Sequence, residues 1–356
     1  MTGTITPTST PTGTPGPFIK IAAGNYHSLA IRIDNSLWTA GENNDGQLGS
    51  GTYNNVSVFA EVLTGVSAIA AGGFHTLALD AGGNLWATGY NGYGQLGIGS
   101  YSNVSSFVQV SGMTGLNAIA AGFDHSLALA GNGTVMASGD NTYGQLANWT
   151  HNISNLFINT AVVSGANAVA AGGYESAALE ADNSLWTAGQ NTDGQLANGT
   201  YNNVSVFAQV LTGITAIAVG ADHCLALDSS GNLWVAGYNN DGQLGNGTYN
   251  SVSIFAQVLT GVSAIAAGSY HSLALKTDGS LWAAGNNAQG EFGNGTVTGS
   301  NTFIRVITTG VTAIAAGSEH SLVIKTGGTL WATGYNGYGQ LGTGDISIRS
   351  AWTQVY

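Results

Sequence analysis

The sequence predicts an all-β protein, a seven-bladed β-propeller of four-stranded antiparallel blades. Three observations carry that prediction. A unit of about 49 residues is written seven times, no stretch keeps a helical period, and glycine is abundant while charge is scarce. The segment IAAGNYHSLAI returns as IAAGGFHTLAL, IAAGFDHSLAL, VAAGGYESAAL, IAVGADHCLAL, IAAGSYHSLAL and IAAGSEHSLVI. Its glycine falls at Gly24, Gly72, Gly122, Gly172, Gly220, Gly268 and Gly317, at spacings of 48, 50, 50, 48, 48 and 49 residues. No unit carries a sizeable insertion, so the repeats read as one domain.

The sixth unit shows the elements in order. SAIAAG, HSLALK, SLWAAG and SIFAQVL are four short runs alternating at period two, bounded by glycine and Asn/Asp turns. In the second run Leu273 and Leu275 share one face, with Ser272 and Ala274 on the other. Four strands in such a unit make a propeller blade, and seven blades lie within the usual range. A solenoid would need distinct polar caps, whereas the terminal units match the middle ones. In AWTQVY, Trp352 takes the place of Phe255; in FIKIAAG, Phe18 takes the place of Val262. The ends of a closed ring would bring Tyr356 beside Phe18. The pattern leaves open whether each fourth strand belongs to its own blade or the next; in the second case the C-terminal strand seals blade one. The division is therefore a Thr/Pro-rich tail or attachment arm over 1–17 and a propeller over 18–356.

Composition bounds the function. The chain has 356 residues, 55 of them glycine; 44% are hydrophobic and 7% charged, enough apolar material for a sizeable core. A formal charge of −12 argues against nucleic acid, whose phosphates need Lys and Arg, and against an anionic membrane surface. No run of 18 apolar residues and no signal peptide is visible, so no membrane insertion is expected. Cys224 is the sole cysteine, which excludes an intrachain disulfide, and it occupies a slot where sister units carry serine.

Repetition decides most of the candidate chemistry. His27, His75, His125, His223, His271 and His320 occupy one repeated position, with Glu175 in the fourth unit. A catalytic residue is needed once, a structural hydrogen bond in every blade, so each imidazole is expected to tie a backbone group of its own or the adjacent blade. Trp38, Trp86, Trp186, Trp234, Trp282 and Trp331 share the Leu-Trp position and read as inter-blade packing, with Met136 replacing them in unit three. Asp45, Asp193 and Asp241 alternate with Tyr93, Tyr143, Gln289 and Tyr338 at one turn position, as expected of a solvent-facing turn. NGYGQLG at 91–97 mimics a dinucleotide fingerprint, yet its sisters keep only the glycine equivalent to Gly94 and no helix follows, so it reads as a turn needing positive φ. No nucleophile elbow, zinc signature or phosphate loop appears, and no metal, cofactor or enzymatic activity is expected.

Individual function belongs where the units differ. NWTHNISNLFINTAVV replaces the usual NGTYNNVSVFAQVL and places Trp149, His151 and Asn152 in a loop. Tyr53, Tyr101, Tyr201 and Tyr249 stand nearby in other units, a Tyr/Asn-rich rim suited to recognition.

GVSAIAAGSYHSLALKTDGSLWAAGNN, with GQLGNGT in sister units, resembles the repeat of the regulator of chromosome condensation family, across about residues 18–356. That resemblance implies a seven-bladed propeller. The eukaryotic founder is a nucleotide exchange factor for a small GTPase that also docks on chromatin; a bacterial relative is a secreted β-lactamase inhibitor contacting its target through aromatic and acidic loop residues. The even spacing leaves no room for the founder's protruding wedge, and its basic patches are missing, which disfavours exchange activity. The expectation is a non-enzymatic interaction or display scaffold, extracellular, on a cell surface or in a virion, binding a protein partner or neighbouring subunit through tail and loops. A glycan-binding adhesin and an inhibitor-type propeller are the alternatives.

Overall fold

The computed structural model describes residues 16–355. Among them 28 strands form seven four-stranded antiparallel sheets, each in strict chain order. In blade one these are β1 (Phe18–Ala23), β2 (His27–Arg32), β3 (Leu37–Gly41) and β4 (Val56–Leu63). The first strand lies innermost, where Ala23 and Gly24 and their equivalents line the ring axis. The fourth lies outermost, with Phe59 and Leu63 buried and its other residues half-buried or exposed. Connections from first to second and third to fourth strand form one face, here the upper; the remaining turns form the lower.

Each fourth strand pairs within its own blade, which settles the question the repeats left open. The ring closes by a junction, not by strand exchange. An upper-loop residue of every blade bridges the outer strand of the next: Ser50 to Ser106 between blades one and two, and Thr343 to Val58 between seven and one. Gly344 donates its N–H to the Ser57 carbonyl at 2.8 Å, as Gly51 does to Ser105 at 2.7 Å. Phe18 packs in the core of this last junction with Phe59, Leu322 and Ile324. Tyr356 lies outside the described residues.

The core is a set of inter-blade layers. Leu273 and Leu275 pack toward blade seven with Val323, while Ala274, one residue along, packs toward blade five with Leu225 and Leu227. A strand sandwiched this way buries both faces, and β2 has no partly exposed residue. The six tryptophans share these layers as half-buried members, Trp38 against blade seven and Trp331 against blade six. Their indole N–H groups turn to the lower rim, as from Trp38 to the Ser36 hydroxyl at 2.8 Å and from Trp234 to the Asp228 carboxylate at 3.0 Å.

The fingerprint-like loop is structural. Gly94 has φ +88°, and a Cβ there would meet the Asn155 Cα of the next blade at 2.5 Å. Leu96 is fully buried, and its N–H donates to the Asn91 Oδ1 at 3.0 Å. The Asn91 amide donates to the Ser100 and Ser102 carbonyls, which holds the long upper loop against the blade.

The histidines bond across junctions, and the partner is a side chain, not the expected backbone group. His75 Nε2 meets the Ser126 hydroxyl of the next blade at 2.8 Å, and Ser126 donates to the Gln95 carbonyl at 2.7 Å. Since that hydroxyl proton is committed, the imidazole must be the donor, as the Nε2–H tautomer. The same pairing joins His27 to Thr76, His125 to Ser176, His223 to Ser272, His271 to Ser321 and, closing the ring, His320 to Ser28. All six imidazoles are fully buried, and burial lowers their pKa to about 3 or 4, so they remain neutral.

One junction departs from this scheme at three positions together. Between blades four and five, Glu175 stands for His, Cys224 for the hydroxyl residue and Val219 for the usual alanine. Over Gly172 the Val219 Cγ1 occupies the space that an imidazole fills over the other six glycines. Both Glu175 oxygens lack hydrogen-bond partners among the described residues, and burial, then Asp222, pushes its pKa well above the usual carboxylate range. Cys224 is buried as expected, with its thiol likewise pushed up by burial and by Glu175.

Two outcomes test this girdle. His125→Ala strands the Ser176 hydroxyl and opens a cavity, and should cost about 1–3 kcal/mol in urea unfolding. Glu175 is favoured protonated in the folded state, so its contribution is intact below the unfolded pKa near 4.5 and is lost as pH rises above it. The urea midpoint of Glu175→Gln should therefore fall less than that of the parent between pH 4.5 and 8; equal slopes would remove Glu175 from the account.

Candidate interaction face

Two segments per blade build the upper face near the axis: the residue preceding each girdle position, and the turn after each third strand. The first series reads Tyr26, Phe74, Asp124, Tyr174, Asp222, Tyr270 and Glu319. Every member is aromatic or acidic, because the following His or Glu175 is pinned inward and its neighbour must point out along the strand. The turns add Glu42 and Asp45, Tyr90 and Tyr93, Asp140 and Tyr143, Asp193, Tyr238 and Asp241, Glu291, and Tyr335 with Tyr338. Nine of the 18 acidic residues and nine of the 14 tyrosines stand in these two segments, with no Lys or Arg.

The turn position expected to face solvent is instead half-buried in most blades, because it packs against the neighbouring blade. Asp45 accepts from Asn103 Nδ2 at 2.8 Å and Asp241 from Asn286 Nδ2 at 3.0 Å, each across a junction. The rings form clusters: Tyr26 lies 5.9 Å from Tyr335 and 5.2 Å from Tyr338, Tyr90 6.3 Å from Tyr93, and Tyr174 5.3 Å from Tyr143 and 5.9 Å from Phe123, centroid to centroid.

Carboxylates set between these rings are hard to ionise. Burial, then Asp140, raises Asp124 to about 6; burial, then Asp193, raises Asp222 to about 6; burial foremost raises Glu291 to about 7. Burial also raises Glu42, Asp45 and Glu319. Burial, then Asp124 and Asp140, pushes the Tyr174 phenol to about 12, so it remains a neutral donor. Gln95 Nε2 donates to Asp124 and Gln195 Nε2 to Asp222, both at 3.2 Å.

The residues singled out from the loops lie elsewhere, on the outer part of the upper rim. Tyr53, Tyr101, His151, Tyr201 and Tyr249 hold one equivalent exposed position in blades one to five, continued by Val297 and Ile346. They form a belt with one member per blade. Asn152 is exposed beside His151, and its carbonyl accepts from the buried Asn141 amide at 3.0 Å. Trp149 is distinct: 66% exposed at φ +67°, it fills the slot that is a positive-φ glycine in all six sister blades, as at Gly99 and Gly199. Sequence reading missed the inner annulus. The available signal was the residue before each girdle position, which is never basic and never small.

No group of three or more His, Cys, Asp or Glu among the described residues could hold a metal ion. The lower face carries basic side chains that the upper annulus lacks. There the chain supplies its own cations to its rings: Arg32 lies 4.3 Å from Phe18 and 4.4 Å from Trp38, Lys276 4.5 Å from Trp282 and Lys325 3.7 Å from Trp331.

Two measurements check this description. Carbon-detected NMR titration should show Asp124 and Asp222 carboxyls titrating near pH 6, so the face gains negative charge as pH rises through that value. Trp149→Gly should stabilise the fold by about 1 kcal/mol in urea unfolding by relieving the backbone; unchanged or lower stability would show the indole packing to be worth its backbone cost.

Comparisons with known proteins agree with this architecture. The Regulator of chromosome condensation (RCC1) repeat model matches residues 18–47, 66–95, 117–145, 214–243, 262–291 and 311–340. A second model of the same repeat matches 34–79, 82–129, 182–227 and 230–275. Human WBSCR16 is similar in structure at 25% identity and a TM-score of 0.79, over 87% of each chain. Yeast RCC1 (Prp20), solved bound to Kap60, is similar at 20% identity and a TM-score of 0.81, over all of this chain and 91% of its own. Prp20p of Saccharomyces cerevisiae, described with its binding to Gsp1p and histones, gives 21% and 0.77 over 86% and 82%. No functionally curated protein matches the sequence. With matched repeats over half of its length and seven blades in register, the chain belongs to the family of proteins built from RCC1 repeats.

Proposed function

We propose that the protein is a non-enzymatic interaction scaffold that docks a protein partner on the upper face of its propeller. The observation that carries this reading is the annulus of tyrosines and carboxylates around one end of the axis, which lacks counter-cations of its own. Tyrosine offers a large, stiff contact with one polar tip, and carboxylates add orientation and long-range steering. Buried, neutral histidines repeated in six blades have the pattern of a structural element, and the acidic residues are distributed around the ring, not gathered into one catalytic pair. The yeast structures described with Gsp1p, histones and Kap60 support a protein as the class of partner. The low charge, the Asn/Thr/Tyr surface and the Thr/Pro-rich first 17 residues support placement on a cell surface, in a secreted form or in a virion.

A second reading, glycan binding at the outer rim, is favoured by Trp149 alone. Its exposed indole stands among uncharged Asn and Thr side chains, the chemistry that stacks on and hydrogen-bonds a neutral sugar.

Cross-linking mass spectrometry in extracts of the source organism tests the first reading. Partner cross-links should concentrate on the upper loops and disappear in Asp45→Lys/Asp222→Lys, while the lower-face pair Asp182→Lys/Asp278→Lys keeps them. A partner lost only with the lower pair, or with Trp149→Gly, would sink it.

A further inference from the structure

We propose that the junction of blades seven and one carries a site for an organic cation, the lysine or arginine side chain of a basic polypeptide, built from Tyr26, Tyr335, Tyr338, Glu42 and Glu319. This inference rests on the interaction-face reading and specifies what that face takes.

Three rings meet there. Their centroids are 5.2, 5.9 and 6.1 Å apart, and the planes are inclined by 49°, 68° and 72°. The triangle is too tight to admit a side chain between the rings, so the three rings form a platform. The face of each ring carries negative electrostatic potential and attracts a cation set above it.

Two carboxylates flank the platform from opposite blades. The Glu42 N–H donates to the Tyr26 carbonyl and the Tyr335 N–H to the Glu319 carbonyl, both at 2.8 Å, so each acidic residue is tied to a segment that carries one of the rings. Asn44 Nδ2 donates to Glu42 Oε1 at 3.0 Å. Glu42 Oε2 accepts nothing among the described residues, although the residue is only 7% exposed. A buried acceptor without a donor is costly, and an incoming ammonium or guanidinium would satisfy it.

The opposite face shows what is missing. At the lower ends of blades one, six and seven the fold places Arg32, Lys276 and Lys325 over its own aromatic rings, at 3.7–4.5 Å. The three remaining basic residues are remote from the upper platform. Lys20 bonds the Ser67 carbonyl, Arg305 lies in an outer strand, and Arg349 is paired with Asp345 at 2.6 Å on the outer rim. The upper rings therefore have carboxylates and no cation within the chain, so the cation must come from outside. A polypeptide fits better than an isolated small amine, because Asp124 and Asp222 continue the same chemistry around the annulus. The carboxylates of the annulus would repel the phosphates of a nucleic acid.

Isothermal titration of the full chain with an acetylated, amidated tetra-arginine peptide tests the site, with the neutral tetra-citrulline peptide as isostere. The arginine peptide should bind at least tenfold more tightly than the citrulline peptide. Glu42→Gln/Glu319→Gln should lose at least tenfold, Tyr338→Leu a similar factor, and Tyr338→Phe far less, since it keeps the ring. The lower-face control Asp182→Asn/Asp278→Asn should bind as the parent does. Equal binding of both peptides, or unchanged arginine binding in the isosteric Gln pair, overturns the proposal. The Gln pair also decides the matter where Tyr338→Leu fails to fold. A native partner cross-linked to the upper face while the arginine peptide ignores the Gln pair would leave the interaction face standing and remove the cation site alone.

Discussion

The bond from each buried imidazole to a hydroxyl of the next blade is the constraint on which the rest of the ring depends. A propeller blade touches only its two neighbours, so the circle is as strong as its seven junctions. Apolar layers supply adhesion without direction, whereas a buried N–H donor must find its acceptor, and that fixes both the distance and the rotation between blades. The hydroxyl in turn donates to the glutamine carbonyl of the blade that supplied the histidine. Four junctions are therefore stitched in both directions, and the seventh closes with the same histidine–hydroxyl bond, His320 to Ser28 at 2.9 Å. No exchanged strand is needed for closure. The exceptional junction reinforces the point. Where Glu175 replaces the imidazole, a thiol stands in place of the hydroxyl partner and Val219 fills the volume that the ring occupies elsewhere.

The girdle also divides the molecule chemically. It buries six of the seven histidines and holds them neutral, and it orients the residue before each girdle position outward on the upper side. The two faces differ in where the chain's cations lie. On the lower face Trp38, Trp282 and Trp331 are covered by the chain's own Arg and Lys, while the upper rings stand among carboxylates that burial keeps reluctant to ionise.

Trp149 belongs to neither pattern. Six blades use glycine at that point because the loop must turn through positive φ to reach the next blade, and only glycine does so without strain. An exposed indole there carries a backbone cost that packing does not visibly offset, the balance expected of a residue kept for contact with something outside the fold.

The seven repeats, their four strands, the glycine turn at Gly94 and the inter-blade tryptophans were all determined by the sequence alone. Each is local: period-two alternation and a left-handed glycine are properties of a few consecutive residues, and repetition multiplies the signal seven times. Membership of the repeat family was legible for the same reason. The tertiary structure decided what depends on neighbours distant in the chain. It paired each fourth strand with its own blade, because both pairings satisfy the same alternation. It gave His27 a threonine 49 residues away, where local reasoning pointed to a backbone group. It turned a position that varies among Asp, Tyr and Gln from a solvent-facing turn into part of a half-buried annulus. Tyr26 and Tyr338 are 312 residues apart in sequence and 5.2 Å apart between ring centres, and only closure of the ring brings them together.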